Sequence, residues 1–286
     1  MSGFAFGLVL TAALGHATWN LLAKRSGGRT EFIWLFGAAS SVLLLIPALV
    51  ALVVEHPVLG APQLLFIVGS GVLHIAYFVL LQSGYSAGDM SIVYPSARGT
   101  GVLIATLGGV VLFGERPGAV ALAGAATVVI GVVVAGASSG RISLRASSVA
   151  VGYGVMTGVV IGAYTLWDKH AVDALAIPPL FYYWGFNLVT VVGMVPLALR
   201  NRGALRREWR RNRVPAVAVG LLAPTSYVLV LYALVFTPVS YVAPVRETAI
   251  VFGSAMGVFL LREGNARIRL ISAAIIAAGV VMMAVG

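Results

Sequence analysis

The stretch VYPSARGTG, Val93 to Gly101, decides how the rest of the chain is read. It lies inside a long apolar run yet carries Arg98, whose guanidinium keeps its charge in a protein. A second stretch, YVAPVRETA, Tyr241 to Ala249, carries Arg246 at a distance of 148 positions. At the same offset Trp19-Asn20 answers Trp167-Asp168, Glu115 answers Glu263, and Gly131-Val132-Val133 answers Gly279-Val280-Val281. One shared offset for independent and mostly rare residues marks an internal repeat.

The composition says what medium the repeat occupies. Of 286 residues 60% are hydrophobic and 10% charged, and the mean hydropathy is +1.00. Soluble domains carry about 25% charged residues. A bilayer core of about 30 Å calls for about 20 apolar residues per helix. Ten such segments follow one another, at 4–23, 32–54, 63–84, 90–113, 118–138, 148–168, 180–199, 214–236, 238–261 and 268–286. The first lacks a basic leader and runs on into WNLLAK, so it reads as a span rather than a cleavable signal. The expected fold is therefore all-α and membrane-embedded, with ten transmembrane helices.

Charge gives the orientation. Fifteen of the nineteen cations fall on one set of alternate loops: Lys24, Arg25 and Arg29; Arg141 and Arg145; the run from Arg200 to Arg213; and Arg262, Arg267 and Arg269. By the positive-inside rule those loops are cytoplasmic, which puts both termini outside. The arginine run reads as a solvated loop touching anionic lipid, so membrane lipids rather than nucleic acid account for the net charge of +10. Arginine outnumbers lysine 17 to 2, a composition typical of GC-rich bacteria, and points to a bacterial plasma membrane.

Residues 1–140 and 141–286 each hold five of the segments. An odd number turns the second half upside down relative to the first. Such inverted-topology repeats are the architecture of many secondary transporters, whose sites lie near the midplane where the halves meet. There is no cysteine, no His-Glu-x-x-His, no Gly-x-Ser-x-Gly and no phosphate-cradling glycine loop. The sequence thus gives no ground for an enzyme, a metal site or a cofactor.

The candidate site residues are the polar ones that the spans carry. Arg98 lies nine residues beyond Asp89 and Arg246 eight beyond Pro238, about 13 and 12 Å into their helices. A charge at that depth costs at least ~2.5–3.5 kcal/mol and should face an interior or a wet cavity. The two arginines either grip an anionic group of a small-molecule substrate or pair with Glu247 and Asp168. Glu247 has Gly99 as its counterpart, and an unmatched carboxylate suits proton coupling or ion pairing. His16 and Asn20 share a helix face, as do Tyr164 and Asp168 at the equivalent positions. His74, Tyr94 and Trp19 complete the candidate wall. Lys24 and Lys169 are expected to snorkel to headgroups, and Trp34, Trp184 and Trp209 to serve in packing and interfacial anchoring. Gly108, Gly109, Gly131, Gly257 and Gly279 read as close helix contacts, and Glu115 and Glu263 as helix-end partners.

The motifs HATWNLLAKRS, YPSARGT with LFGERP, AYTLWDKHAV, and PVRETAIVF with FLLRE resemble those of EamA-type members of the drug/metabolite transporter superfamily. The resemblance covers nearly the whole chain. It implies ten helices, with 1–4 and 6–9 around a central cavity, 5 and 10 peripheral, and transport by alternating access. The expected function is secondary transport of a small polar metabolite, anionic or zwitterionic, by a monomer or homodimer. The alternatives are flipping of a lipid-linked sugar and transport of choline-like cations.

Overall fold

A computed structural model describes residues 1–26, 30–88, 90–137, 144–259 and 266–286. Arg29, Asp89, Arg141, Arg262, Glu263 and the expected boundary at 140/141 lie outside those residues, as does the side chain of Arg145. The described residues are all-α, with no strand among them.

Helix α1 (Gly3–Arg25) starts on Ser2, whose Oγ accepts from Ala5 N at 3.2 Å. It ends with Lys24 and Arg25 in its last turn, where cations meet the carbonyl end of the dipole. Helices α2 (Thr30–Leu43) and α3 (Leu45–Glu55) form one apolar run bent by 45°. Pro47 accounts for the bend, because it cannot donate to the Leu43 carbonyl and its ring crowds it. Leu44 takes φ −91°, ψ −2° at the corner. Helices α4 (Ala61–Ala87), α5 (Met90–Phe113), α6 (Ala119–Ala137) and α7 (Leu144–Asp173) follow. Helices α8 (Pro179–Gly193) and α9 (Val195–Leu199) repeat the break, with Met194 at φ −85°, ψ −4° and Pro196 just beyond.

Helix α10 (Arg202–Phe236) takes in most of the arginine run, which corrects the expected loop. Asn201 Oδ1 accepts from Ala204 N at 2.9 Å and starts the helix there. Helical geometry is lost only at Asn212, φ −124° and ψ 22°, which separates the basic turns from the apolar ones. Helices α11 (Val239–Val245) and α12 (Thr248–Phe259) flank a break at Arg246 and Glu247, just after Pro244. Helix α13 (Ala266–Val285) ends the chain.

Among the described residues seven helical runs are long and apolar enough to cross a membrane, or eight with α2 and α3 as one broken span. The apolar part of α6, Ala119–Ala135, and the 15-residue α8 are shorter. Val42, Val58, Val111 and Val285 are 74% to 79% exposed. An outer surface of this kind suits lipid, not water.

The packing repeats itself. Helix α1 lies along α10 as α7 lies along α4, and α2 packs on α10 as α8 packs on α4. Helices α6 and α13 pair with each other, and their backbones meet at Gly124 and Gly279. A Cβ on either glycine would sit 2.6 Å from the other's carbonyl oxygen. Gly124→Ala forces that contact and should cost about 1–3 kcal/mol, read as a lower melting temperature in detergent. Gly7→Ala has nothing within 4 Å of its new methyl and should leave the melting temperature unchanged or raised. Equal melting behaviour of the two variants would mean that the helices do not meet at Gly124.

Candidate functional site

Helix α5 runs unbroken through Pro95 and carries Arg98 inward, whereas Arg246 and Glu247 sit at the α11–α12 break. Nε–H of Arg98 donates to Oε2 of Glu247 at 3.0 Å, and Nη2 lies 2.7 Å from Oε1. The guanidinium fork thus takes both oxygens of one carboxylate, and both side chains are buried. The break places the pair: Glu247 N and Ala249 N make three-residue turns to the Pro244 and Arg246 carbonyls, at 3.0 and 3.1 Å. Arg246 is treated differently. Among the described residues no carboxylate lies within ion-pair distance of it, and its guanidinium stands 5.2 Å from the Tyr227 ring centre.

Arg246 and the edge of Arg98 line a cavity of about 120 Å³, room for several waters or one small solute. Helix α1 contributes His16 and Trp19, α4 His74 and Tyr77, α7 Tyr164 and α10 Tyr227. Trp34 and Phe36 come from α2, and Tyr183, Phe186, Asn187 and Thr190 from α8. Among the described residues, helices α6 and α13 contribute nothing to the wall, and no carboxylate is on it. His74 is clamped between the Tyr164 and Phe186 rings, at 4.4 and 4.5 Å. Its Nδ1 lies 2.9 Å from the Ser70 carbonyl, which can only accept, so Nδ1 carries a proton.

Six sequence candidates therefore share one wall: Arg98, Arg246, His16, Trp19, Tyr164 and His74. Tyr94 is not among the lining residues; the Arg98 guanidinium lies 6.0 Å from its ring. Asn20 is also absent from the wall, and its Nδ2–H goes to the His16 carbonyl at 2.8 Å. Asp168 is fully buried and pairs with neither arginine. It accepts from three hydroxyls instead: Ser70 at 2.7 Å, Tyr182 at 2.6 Å and Tyr227 at 2.6 Å. Tyr227 thus touches Asp168 with its hydroxyl and Arg246 with its ring face.

One further expectation is corrected. Lys169 does not snorkel: it is buried, with Nζ donating to the Leu234 carbonyl at 2.7 Å and lying 2.8 Å from Asp173 Oδ2. Trp34 and Trp184, expected to pack and anchor, are cross-helix donors. Trp34 Nε1–H donates to the Val191 carbonyl at 3.0 Å, and Trp184 Nε1–H to the Ser41 carbonyl at 2.9 Å. Both donors and both acceptors are 150 positions apart, so the two bonds are one contact made twice. Glu115 is a helix-end partner: its carboxylate accepts from Val239 N at 2.7 Å and Ser240 N at 2.9 Å, closing the start of α11.

Sequence reasoning missed the α8 wall. Its signal was the same Trp34/Trp184 correspondence, which a search at 148 positions steps over.

Residues 148–285 match the model of the EamA-like transporter family. The match covers a little under half of the chain, and over that part the chain is similar to this family of transporters. A solved crystal structure superposes with a TM-score of 0.74 at 18% identity, covering 98% of this chain and 98% of its own. At that identity the likeness shows the fold alone. No curated protein matches the chain.

Removing one partner of the Arg98–Glu247 pair strands a buried charge and should cost about 3–5 kcal/mol. Arg98→Met and Glu247→Met each should lower the melting temperature sharply, and the double variant should recover most of the loss. Additive losses in the double variant would mean that the pair does not form.

Proposed function

We propose that the protein is a secondary transporter of a small anionic or zwitterionic metabolite, working by alternating access across the bacterial plasma membrane. The observation that carries this reading is a cavity lined by an arginine with no carboxylate in ion-pair distance among the described residues, set at a break in a helix. Discontinuous helices that aim polar groups at a central site are a recurrent transporter device.

We read the helices as ten spans in two inverted repeats of five, α6 and the broken α8–α9 run counting as one span each. The boundary between repeats falls at 140/141. Support comes from the matched bends at Leu44 and Met194, the reciprocal Trp34 and Trp184 bonds, and the mirrored packing of α1 on α10 and α7 on α4. The family match, confined to 148–285, is itself about one repeat long. The cation-rich loops face the cytoplasm on this reading, with both termini outside. Arginines on the wall, and no carboxylate there among the described residues, argue against a choline-like cation.

The test is uptake by the purified protein in proteoliposomes, with labelled organic anions and amino acids as separate cargoes. At least one should accumulate above protein-free vesicles, and Arg246→Gln should abolish that uptake while the variant melts like the parent. Uptake of none of them, or uptake that survives Arg246→Gln, contradicts the reading.

A further inference from the structure

The two arginines of the repeat are equivalent in sequence and unequal in charge. Arg98 is matched by Glu247, whose two oxygens are both engaged by its fork. Asp168, the other buried carboxylate nearby, is held by three hydroxyls and is not on the wall. Arg246 is then the one cation lining the cavity with no carboxylate within ion-pair distance, among the described residues. The wall thus presents one guanidinium free of a direct carboxylate partner, with Asp168 linked to it only through Tyr227.

Much of the rest of the wall is aromatic. Trp19, Trp34, Tyr77, Phe78 and Phe186 face the same space. Aromatic faces of this kind favour a planar apolar body over a hydrated one. An ammonium group would find no carboxylate on the wall and would meet Arg246 with like charge, which disfavours it. A second anionic group would have to compete with Glu247 for Arg98. An anion and a zwitterion could each meet Arg246 with a carboxylate; charge and wall chemistry together separate them.

We propose that the cargo is a small monoanion with a flat apolar body and no cationic head, an aryl carboxylate rather than an amino acid or an organic dianion. The proposal rests on the reading of this cavity as the cargo site. It also explains why the repeat departs from symmetry at one position. Gly99 in the first half and Glu247 in the second convert two potential anion grips into one. Replacing the carboxylate should restore the second grip.

The experiment is a binding series on the purified full-length protein, with one ring and four heads: phenylacetate, phenylalanine, phenethylammonium and phenylsuccinate. Phenylacetate should bind best, and each of the others roughly tenfold more weakly or worse. Arg246→Gln should lose phenylacetate binding by a similar factor. Glu247→Gln should gain affinity for phenylsuccinate relative to phenylacetate. Because that variant also loses stability, the unaltered protein decides the question by itself. Phenylalanine, phenethylammonium or phenylsuccinate binding as tightly as phenylacetate overturns the proposal, and so does the absence of phenylacetate binding at millimolar concentration. Phenylacetate that binds but is not carried into proteoliposomes sinks the transport reading and leaves this one standing. Uptake of phenylalanine without phenylacetate does the reverse.

Discussion

A guanidinium inside an apolar helix bundle has to find negative charge or water, and Arg98 finds Glu247 across the join between the two halves of the chain. Much of the site follows from that contact. It needs a carboxylate delivered at the depth of α5, which an unbroken α11–α12 helix would aim by helical register alone. Helix α11 ends at Val245, just short of the pair, and the three-residue turns that follow set Arg246 toward the cavity and Glu247 toward Arg98. The equivalent Pro95 stands one residue further from its arginine, and α5 continues through it. The two arginines are thus presented by unlike backbone, one from a continuous helix and one from a break.

The same mixture of symmetry and departure runs through the molecule. Contacts that cross between halves in matched fashion, such as the paired tryptophan bonds of α2 and α8 and the glycine contact of α6 and α13, form the scaffold. The departures lie at the cavity or just behind its wall. Asn20 is answered by Asp168, Gly99 by Glu247, and Gly37 stands opposite Asn187, whose Nδ2–H reaches its carbonyl at 3.0 Å. The matched arginines both reach the wall, and the unmatched Glu247 pairs with only one of them.

Much of this was legible in the sequence because charge is rare in a lipid-facing chain. Arg98, Arg246, Glu247 and Asp168 stand out against an apolar background, and the shared offset ties the two arginines together. What could not be read was who meets whom. Asp168 takes its partners from Ser70, Tyr182 and Tyr227, on three other helices, and no local spacing announces that. Lys169 looked like a snorkelling residue because its neighbour in space, the Leu234 carbonyl, carries no signal in the sequence. Phe186, Asn187 and Thr190 were hidden by a two-residue change of offset between α2 and α8. Tyr94 and Asn20 lie near wall residues in sequence, which turned out to be less than a place on the wall.

On the proposed reading Arg246 holds the negative charge of the cargo while Arg98 stays locked to Glu247. The decisive measurement is an experimental structure of the protein with 4-iodophenylacetate, the iodine located by its anomalous signal. The carboxylate should lie within hydrogen-bonding distance of Arg246, the iodinated ring among the aromatic side chains, and the Arg98–Glu247 pair should be intact. A carboxylate bound to Arg98 with Glu247 displaced, or iodine found only outside the cavity, would contradict it.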